Sequence, residues 1–179
     1  MKKIRVRDRE FSLFLSKENI TKAVDQVAEM INAELAGTDP IFLCVLNGAF
    51  IFASDLLKKI NFDCEVSFVK LSSYVGTQTT STVRELIGLD RVLTGRTVVV
   101  VEDIIDTGIT MDYTVNKLKE LGAADVRIAT LLLKPAAFRM KYPIDYVGIV
   151  IPNKFIVGYG LDYDGHGRNL PDIYQIVEH

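Results

Sequence analysis

The sequence predicts an α/β fold, a mainly parallel sheet flanked by helices with a small hood formed from the chain ends. Three observations lead there. Strand-like and helix-like apolar patterns alternate along the chain. Val98–Val101, four consecutive valines, read as a strand buried on both faces, as parallel sheets require. The two ends of the chain fit the alternation less well, which sets them apart as a cap on the layers. With 179 residues, 49% of them hydrophobic, the chain suffices for a single domain spanning 1–179 with a substantial core.

Taken in order, the N-terminal segment Met1-Lys2-Lys3-Ile4-Arg5-Val6-Arg7-Asp8 is basic but lacks the apolar block of a secretory signal. Residues 17–36 carry Ile20, Val24, Val27, Ile31 and Leu35 at helical spacing, with Ser16 placed to cap the start and Gly37 to stop the end. Ile41 to Leu46 is a compact apolar run, hence a buried strand; Asn47-Gly48 turns the chain into a helix-like stretch from Ala49 to Ile60. Cys64 to Tyr74 reads as a longer strand, with Val66 and Phe68 on one face and Val69 and Leu71 nearer the other. The polar segment Val75 to Thr82 has no periodicity, and a flexible loop is expected over about 74–84. After the valine strand comes a helix from Met111 to Leu121, then strands from Asp125 to Leu133 and from Tyr146 to Ile151. The tail from Phe155 to Ile176 is rich in Gly, Asp and Tyr, and with the N-terminal segment it supplies the hood, over about 152–179.

Composition excludes several classes. A net charge of −2 gives no global basic field for nucleic acid. No apolar run approaches the roughly 18–20 residues of a membrane helix, so no membrane partner and a cytoplasmic location are expected. Cys44 and Cys64 lie in strand-like runs and read as buried thiols rather than a disulfide or metal pair. His166 and His179, the two histidines, are too few for a histidine metal cluster.

The chemistry concentrates after the valine strand, in Glu102-Asp103-Ile104-Ile105-Asp106-Thr107-Gly108-Ile109-Thr110. In open α/β sheets, ligands bind beyond the carboxyl ends of the strands. A strand–turn–helix with Gly and two Thr at the turn leaves free N–H groups and a positive helix end for an anion. The paired carboxylates before it suit a diol or a metal ion. Neither a P-loop signature nor a Gly-x-Gly-x-x-Gly turn after a strand is present, which argues against those two phosphate motifs.

The acidic pair, apolar strand and Asp-Thr-Gly-x-Thr turn together resemble the 5-phosphoribosyl-1-pyrophosphate (PRPP) signature of type I phosphoribosyltransferases. Leu46-Asn47-Gly48, Ser73-Tyr74, Lys134, Lys154 to Tyr159, Leu161-Asp162-Tyr163 and Arg168 follow in the order and spacing of the hypoxanthine-guanine branch of that family, so the resemblance covers nearly the whole chain. It departs in two places: Asn47 stands where some members carry Lys, and Ile109 stands where some eukaryotic members carry Lys.

The resemblance implies transfer of ribose 5-phosphate from PRPP to N9 of hypoxanthine or guanine, giving IMP or GMP and pyrophosphate, with Mg²⁺ as cofactor. It also implies a homodimer or homotetramer. Glu102 and Asp103 would hold the ribose hydroxyls, directly or through Mg²⁺, although an acidic strand end can also be merely solvated. Asp106, Thr107, Gly108, Ile109 and Thr110 would cradle the 5-phosphate, an arrangement compatible with ordinary helix capping, and Asp106 would also serve as general base or acid at purine N7. Asn47, Gly48, Ser73, Tyr74 and Arg168 would bind pyrophosphate, with a cis peptide at Leu46–Asn47 and a lid over Ser73 to Arg84. Arg168 has surface ion pairing with Asp162, Asp164 or Asp172 as its alternative. Ile104, Lys134, Phe155, Ile156 and Asp162 would form the purine site, Lys134 meeting O6, Phe155 stacking on the base and Asp162 also joining the metal site. A strand-end Lys more often reaches into water, an aromatic in an apolar stretch is more often core, and Asp162 can be a turn residue. Two competing functions remain: a PRPP-sensing, nucleic-acid-binding regulator on the same fold, and a phosphoribosyltransferase preferring xanthine.

Overall fold

The structure, a computed structural model, describes residues 2–74, 82–136, 138–139 and 144–177. Five strands form a parallel sheet: β3 (Ile41–Leu46), β4 (Glu65–Tyr74), β6 (Thr97–Ile105), β7 (Asp125–Leu133) and β8 (Tyr146–Val150). β5 (Thr82–Ile87) adds an antiparallel edge on β4, giving the order β5-β4-β3-β6-β7-β8. The hood is a separate antiparallel sheet of β1 (Lys3–Val6), β2 (Arg9–Leu15), β10 (Ile173–Ile176) and β9 (Ile156–Val157), in the order β1-β2-β10-β9. Three helices are described: α1 (Lys17–Leu35), α2 (Phe50–Leu57) and α3 (Ile109–Glu120).

The valine run behaves as its composition demands. Val99 and Val101 pack with Phe42 and Cys44 of β3 under α1 and α2, whereas Val98 and Val100 pack with Ile41, Leu43 and Val45 under α3. Neighbouring strand residues point to opposite faces, so a strand covered by helices on both sides needs apolar residues at every position. α1 presents Ile20, Val24, Val27, Ile31 and Leu35 to this core, and Ser16 Oγ accepts from the Asn19 N–H at 3.4 Å. Gly37, at φ +82°, turns the chain away after Ala36.

Several boundaries differ from the sequence reading. α2 stops at Leu57 instead of reaching Ile60. Lys59 and Ile60 bond back three residues, to Leu56 and Leu57, while Asn32 of α1 ties down the Lys59 carbonyl and the Asn61 N–H. α3 begins two residues early, at Ile109, because Gly108 adopts a left-handed conformation and redirects the chain there. β6 runs on to Ile105, in register with Leu133, so Glu102 and Asp103 lie at its carboxyl end as expected, with Ile104 and Ile105 still in the strand. β5 and the hood strands β1 and β2 each include two charged residues and were not read as strands; Val75–Ser81, the centre of the expected lid, lies outside the described residues. Val66 and Phe68 share a face of β4 as expected, but Val66 packs on the core while Phe68 is half exposed. Cys44 and Cys64 are free thiols, and burial pushes Cys44 up to about 12. Among the described residues, no helix is long and apolar enough to cross a membrane.

Because α1 has Ile31 fully buried against the sheet, Ile31→Ala is expected to cost about 2–5 kcal/mol of unfolding free energy. Urea denaturation measures it; a loss below about 1 kcal/mol would show that α1 contributes little to the core.

Candidate active site

Near the carboxyl end of the central strand, Glu102 and Asp103 are held close together, Asp103 buried and Glu102 partly so. Asp103 Oδ1 accepts the N–H of Ile104 at 2.8 Å, and Glu102 Oε1 accepts the N–H of Asp103 at 3.3 Å. Burial raises both carboxyls above the ordinary carboxylate range. The charge of Asp103 pushes Glu102 further, whereas hydrogen bonds and the nearby Arg168 guanidinium hold Asp103 back. Among the described residues, no group of three or more His, Cys, Asp or Glu could enclose a metal by itself. Two adjacent oxygen-donor side chains fit Mg²⁺, which usually takes one or two carboxylates and completes its shell with water and phosphate oxygens.

The following turn opens a pocket of about 140 Å³ lined by Glu102, Ile104, Asp106, Thr107, Gly108 and Thr110, among others. Gly108, at φ +82°, is the N-cap of α3, and no side chain caps the helix there. The first intrahelical bond runs from the Asp112 N–H to the Gly108 carbonyl at 2.8 Å. Helix geometry therefore leaves the preceding N–H groups to solvent or an anion. Thr107 Oγ1 lies 3.4 Å from the Ile109 N–H, a weak contact. The Ile109 side chain is exposed, so that residue can serve the pocket only through its backbone.

Lys134 does not reach into water. Its backbone N–H extends the β6–β7 pairing to the Ile105 carbonyl at 3.0 Å, and its Nζ lies 3.3 Å from Asp106 Oδ2. The Lys134 side chain is 10% exposed and that of Asp106 is 48% exposed. The pair therefore has a buried cationic end and an open anionic end.

At the end of β3 the Leu46–Asn47 peptide is cis, Asn47 is exposed, and Gly48 lies flat against Asp103: a Cβ on Gly48 would collide with that carboxylate. Gly160 backs onto the Gly48 carbonyl just as tightly. Arg168 brackets the same spot, donating from Nη1 to the Gly160 carbonyl at 2.7 Å and from Nη2 to Asp162 Oδ1 at 2.8 Å. Asp162 Oδ2 also accepts the Gly165 N–H at 2.7 Å. The ion pair and the turn role that sequence offered as bland alternatives for Arg168 and Asp162 are thus both present.

The structure therefore brings Gly48, Glu102, Asp103, Asp106–Thr110, Lys134 and Arg168 into one continuous site. Asn47, Phe155 and Ile156 make no hydrogen bond or ion pair with that group among the described residues. Ser73 and Tyr74 end β4, paired with Val83 and Thr82 of β5; their side chains lie outside what is described. Phe155 is half exposed on the hood. Tyr163 meets it edge-on at 5.9 Å and 86°, and Phe11 lies at 6.3 Å. Ile156 is buried in β9. Sequence reasoning missed Phe11 and Tyr163 as supports of Phe155, since nothing local links residues so far apart; the tyrosine-rich tail was the one available hint.

The family model described as "Phosphoribosyl transferase domain" matches residues 13–164. The hypoxanthine-guanine phosphoribosyltransferase of Streptococcus thermophilus is 40% identical over 167 residues, covering 93% of each chain. The bifunctional protein TilS/HprT of Listeria innocua is 40% identical over 162 residues, but this chain spans only 25% of its length. Among solved structures, a hypoxanthine-guanine phosphoribosyltransferase from Bacillus anthracis superposes with a TM-score of 0.83 at 34% identity, covering 93% of this chain and 97% of that one.

The strained acid pair has a measurable consequence. A carboxyl whose pKa is raised by folding contributes stability below its unfolded value of about 4.3, and that contribution is lost as pH rises through the folded value. Glu102→Gln is therefore expected to raise unfolding free energy at pH 7, with the gain vanishing near pH 4. Denaturant unfolding at the two pH values checks it, and lower stability of the variant at pH 7 contradicts the strain.

Proposed function

The chain belongs to the phosphoribosyltransferase family, and from that membership we propose that it transfers the 5-phosphoribosyl group of PRPP to N9 of hypoxanthine or guanine, releasing pyrophosphate and IMP or GMP. The observation that carries the reading is the β6–α3 junction: an adjacent pair of carboxylates, Asp103 buried and Glu102 partly so, followed within the same turn by a helix N-terminus with no side-chain cap around a pocket. Those are the two recognition elements a ribose 5-phosphate needs, a pair of acceptors for its hydroxyls and a cluster of N–H donors for its phosphate.

In the proposed reaction the Asp106–Thr110 turn holds the 5-phosphate and fixes the sugar, while Glu102 and Asp103 orient the ring through the 2- and 3-hydroxyls. Glu102 and Asp103, with Asp162 on the pyrophosphate side, would hold Mg²⁺, which supplies positive charge to the leaving pyrophosphate. As C1 takes on oxocarbenium character, Asn47 and Gly48, with Arg168, receive the departing oxyanions, the guanidinium as a planar fork. Ser73 and Tyr74 would close over the same group and exclude water. The purine stacks on Phe155 with Ile104 and Ile156 at its margins. O6 and N7 are neighbouring atoms on one edge of a 6-oxopurine, and Lys134 and Asp106 are neighbours 3.3 Å apart. The amine can donate to O6 while the carboxyl manages the proton at N7.

Nothing in the site favours a nucleic-acid-binding regulator, and the chain carries a net charge of −2. Purified protein should form nucleotide and pyrophosphate from PRPP, Mg²⁺ and hypoxanthine or guanine, and not from adenine. Nucleic-acid binding without nucleotide formation would reverse the assignment, and turnover confined to xanthine would move the substrate. Lys134→Ala should raise KM for hypoxanthine roughly 10- to 100-fold, the scale of a charged hydrogen bond, and leave KM for PRPP nearly unchanged. The opposite pattern in steady-state kinetics would remove Lys134 from the purine site.

A further inference from the structure

We propose that Tyr159 and Asp55 are a positioning pair that fixes the spacing between the two halves of the pyrophosphate site, an inference that rests on the phosphoribosyltransferase reading above. Tyr159 is the middle of three consecutive residues with positive φ: Gly158 at +110°, Tyr159 at +51° and Gly160 at +99°. The glycines tolerate that backbone freely, but a tyrosine rarely adopts it and must be held there. Tyr159 is held at both ends. Its backbone N–H donates to the Leu170 carbonyl at 2.8 Å, and its buried ring carries the hydroxyl to Asp55 Oδ2 at 2.7 Å.

What the turn touches gives the pair its role. Gly160 lies against the Gly48 carbonyl with no room for a side chain. Its own N–H donates to the Arg168 carbonyl at 2.9 Å, and its carbonyl accepts from Arg168 Nη1 at 2.7 Å. One residue, Gly160, is thus wedged between the Asn47–Gly48 turn and Arg168, the two protein elements assigned to pyrophosphate. Asp55 belongs to α2, the helix that starts immediately after Asn47–Gly48. The hydroxyl bond therefore ties the wedge to the same rigid helix that carries one of the groups it spaces. Tyr159 acts on the ligand only through Gly160.

Removing the hydroxyl would not strand a charge. The Asp55 side chain is 37% exposed, keeps Lys58 at 2.7 Å, and borders a cleft of about 270 Å³ between α1 and α2. Loss of the tie is then separable from loss of the fold.

The test compares Tyr159→Phe, Asp55→Ala, Asp55→Asn and the double variant Tyr159→Phe/Asp55→Ala in the whole chain. Steady-state kinetics with PRPP, Mg²⁺ and hypoxanthine are combined with calorimetry of magnesium pyrophosphate and with thermal unfolding. Tyr159→Phe and Asp55→Ala should each weaken PRPP (as KM) and pyrophosphate (as Kd) roughly 5- to 10-fold, the effect of one lost hydrogen bond. KM for hypoxanthine should stay within about twofold. The double variant should be no worse than either single one. Asp55→Asn keeps an acceptor oxygen and should stay near wild type. Unchanged PRPP and pyrophosphate affinity overturns the proposal, and so does a rise shared equally by hypoxanthine, whatever happens to the melting temperature. Wild type that forms no nucleotide overturns the functional reading, yet pyrophosphate calorimetry on the variants still decides for or against the pair; wild type that binds no pyrophosphate overturns both.

Discussion

Burial of β6 on both faces is the constraint from which the rest of the site follows. The strand lies between β3 and β7, and its valines divide between the two helical layers. Four valines in a row do not by themselves fix the side-chain register, because a slip of one residue would exchange one valine for another. The acids that follow do fix it. Sliding Glu102 or Asp103 inward by one position would drive a carboxylate into a layer that offers it no hydrogen bond, at a cost of several kcal/mol (roughly) in desolvation. The residues that do the chemistry in the proposed reaction therefore also fix the register of the strand, which runs on past them to Ile105.

The hood reaches this centre through backbone as well as through the Arg168 guanidinium. Gly160 meets the Gly48 carbonyl, and Gly48 meets the Asp103 carboxylate, so three segments distant in sequence approach with no Cβ between them. The chain ends are sealed to the helical layer at Asp172, whose carboxylate accepts the Lys17 N–H at 2.9 Å at the start of α1 and pairs with Lys2 at 3.1 Å. That backbone hydrogen bond holds Asp172 below the usual carboxylate range. A negative group at a helix N-terminus is favoured by the helix dipole as well, so closing the hood and starting α1 support each other.

Where local pattern and tertiary environment agree, the sequence was legible. β3 and β7 begin and end where their apolar runs do, and α1 differs from its periodic stripe by one residue. The β6–α3 junction was legible because strand, acids and turn are contiguous. α2 was overextended because what ends it is Asn32, on another helix. β1 and β2 were missed as strands because they are short or open on charged residues, Lys3 and Arg5 in β1 and Arg9-Glu10 in β2, and β5 because Arg84-Glu85 interrupts its apolar residues, so their composition resembles loop. The burial of Lys134 was not legible either: its neighbours Ile105 and Asp106 come from a different strand and turn. The Tyr159–Asp55 bond joins residues 104 apart, beyond any local pattern, although the flanking glycines hinted that the tyrosine sits on an unusual backbone.

The unequal exposure of Lys134 and Asp106 argues for how the proposed site separates purines. In the proposed reaction, a base that loosened their ion pair would affect the two partners differently. Asp106, half exposed, can turn to water at little cost; Lys134, almost enclosed, needs a replacement acceptor at once. A 6-oxopurine brings one in O6. Adenine brings an amino group, a donor, and would leave a buried ammonium facing N–H bonds. The penalty for an unmet buried charge exceeds the net worth of the hydrogen bond that satisfies it. In the proposed reaction, discrimination against adenine would then be rejection by desolvation more than attraction to oxygen, and a single strand-end lysine would suffice for it.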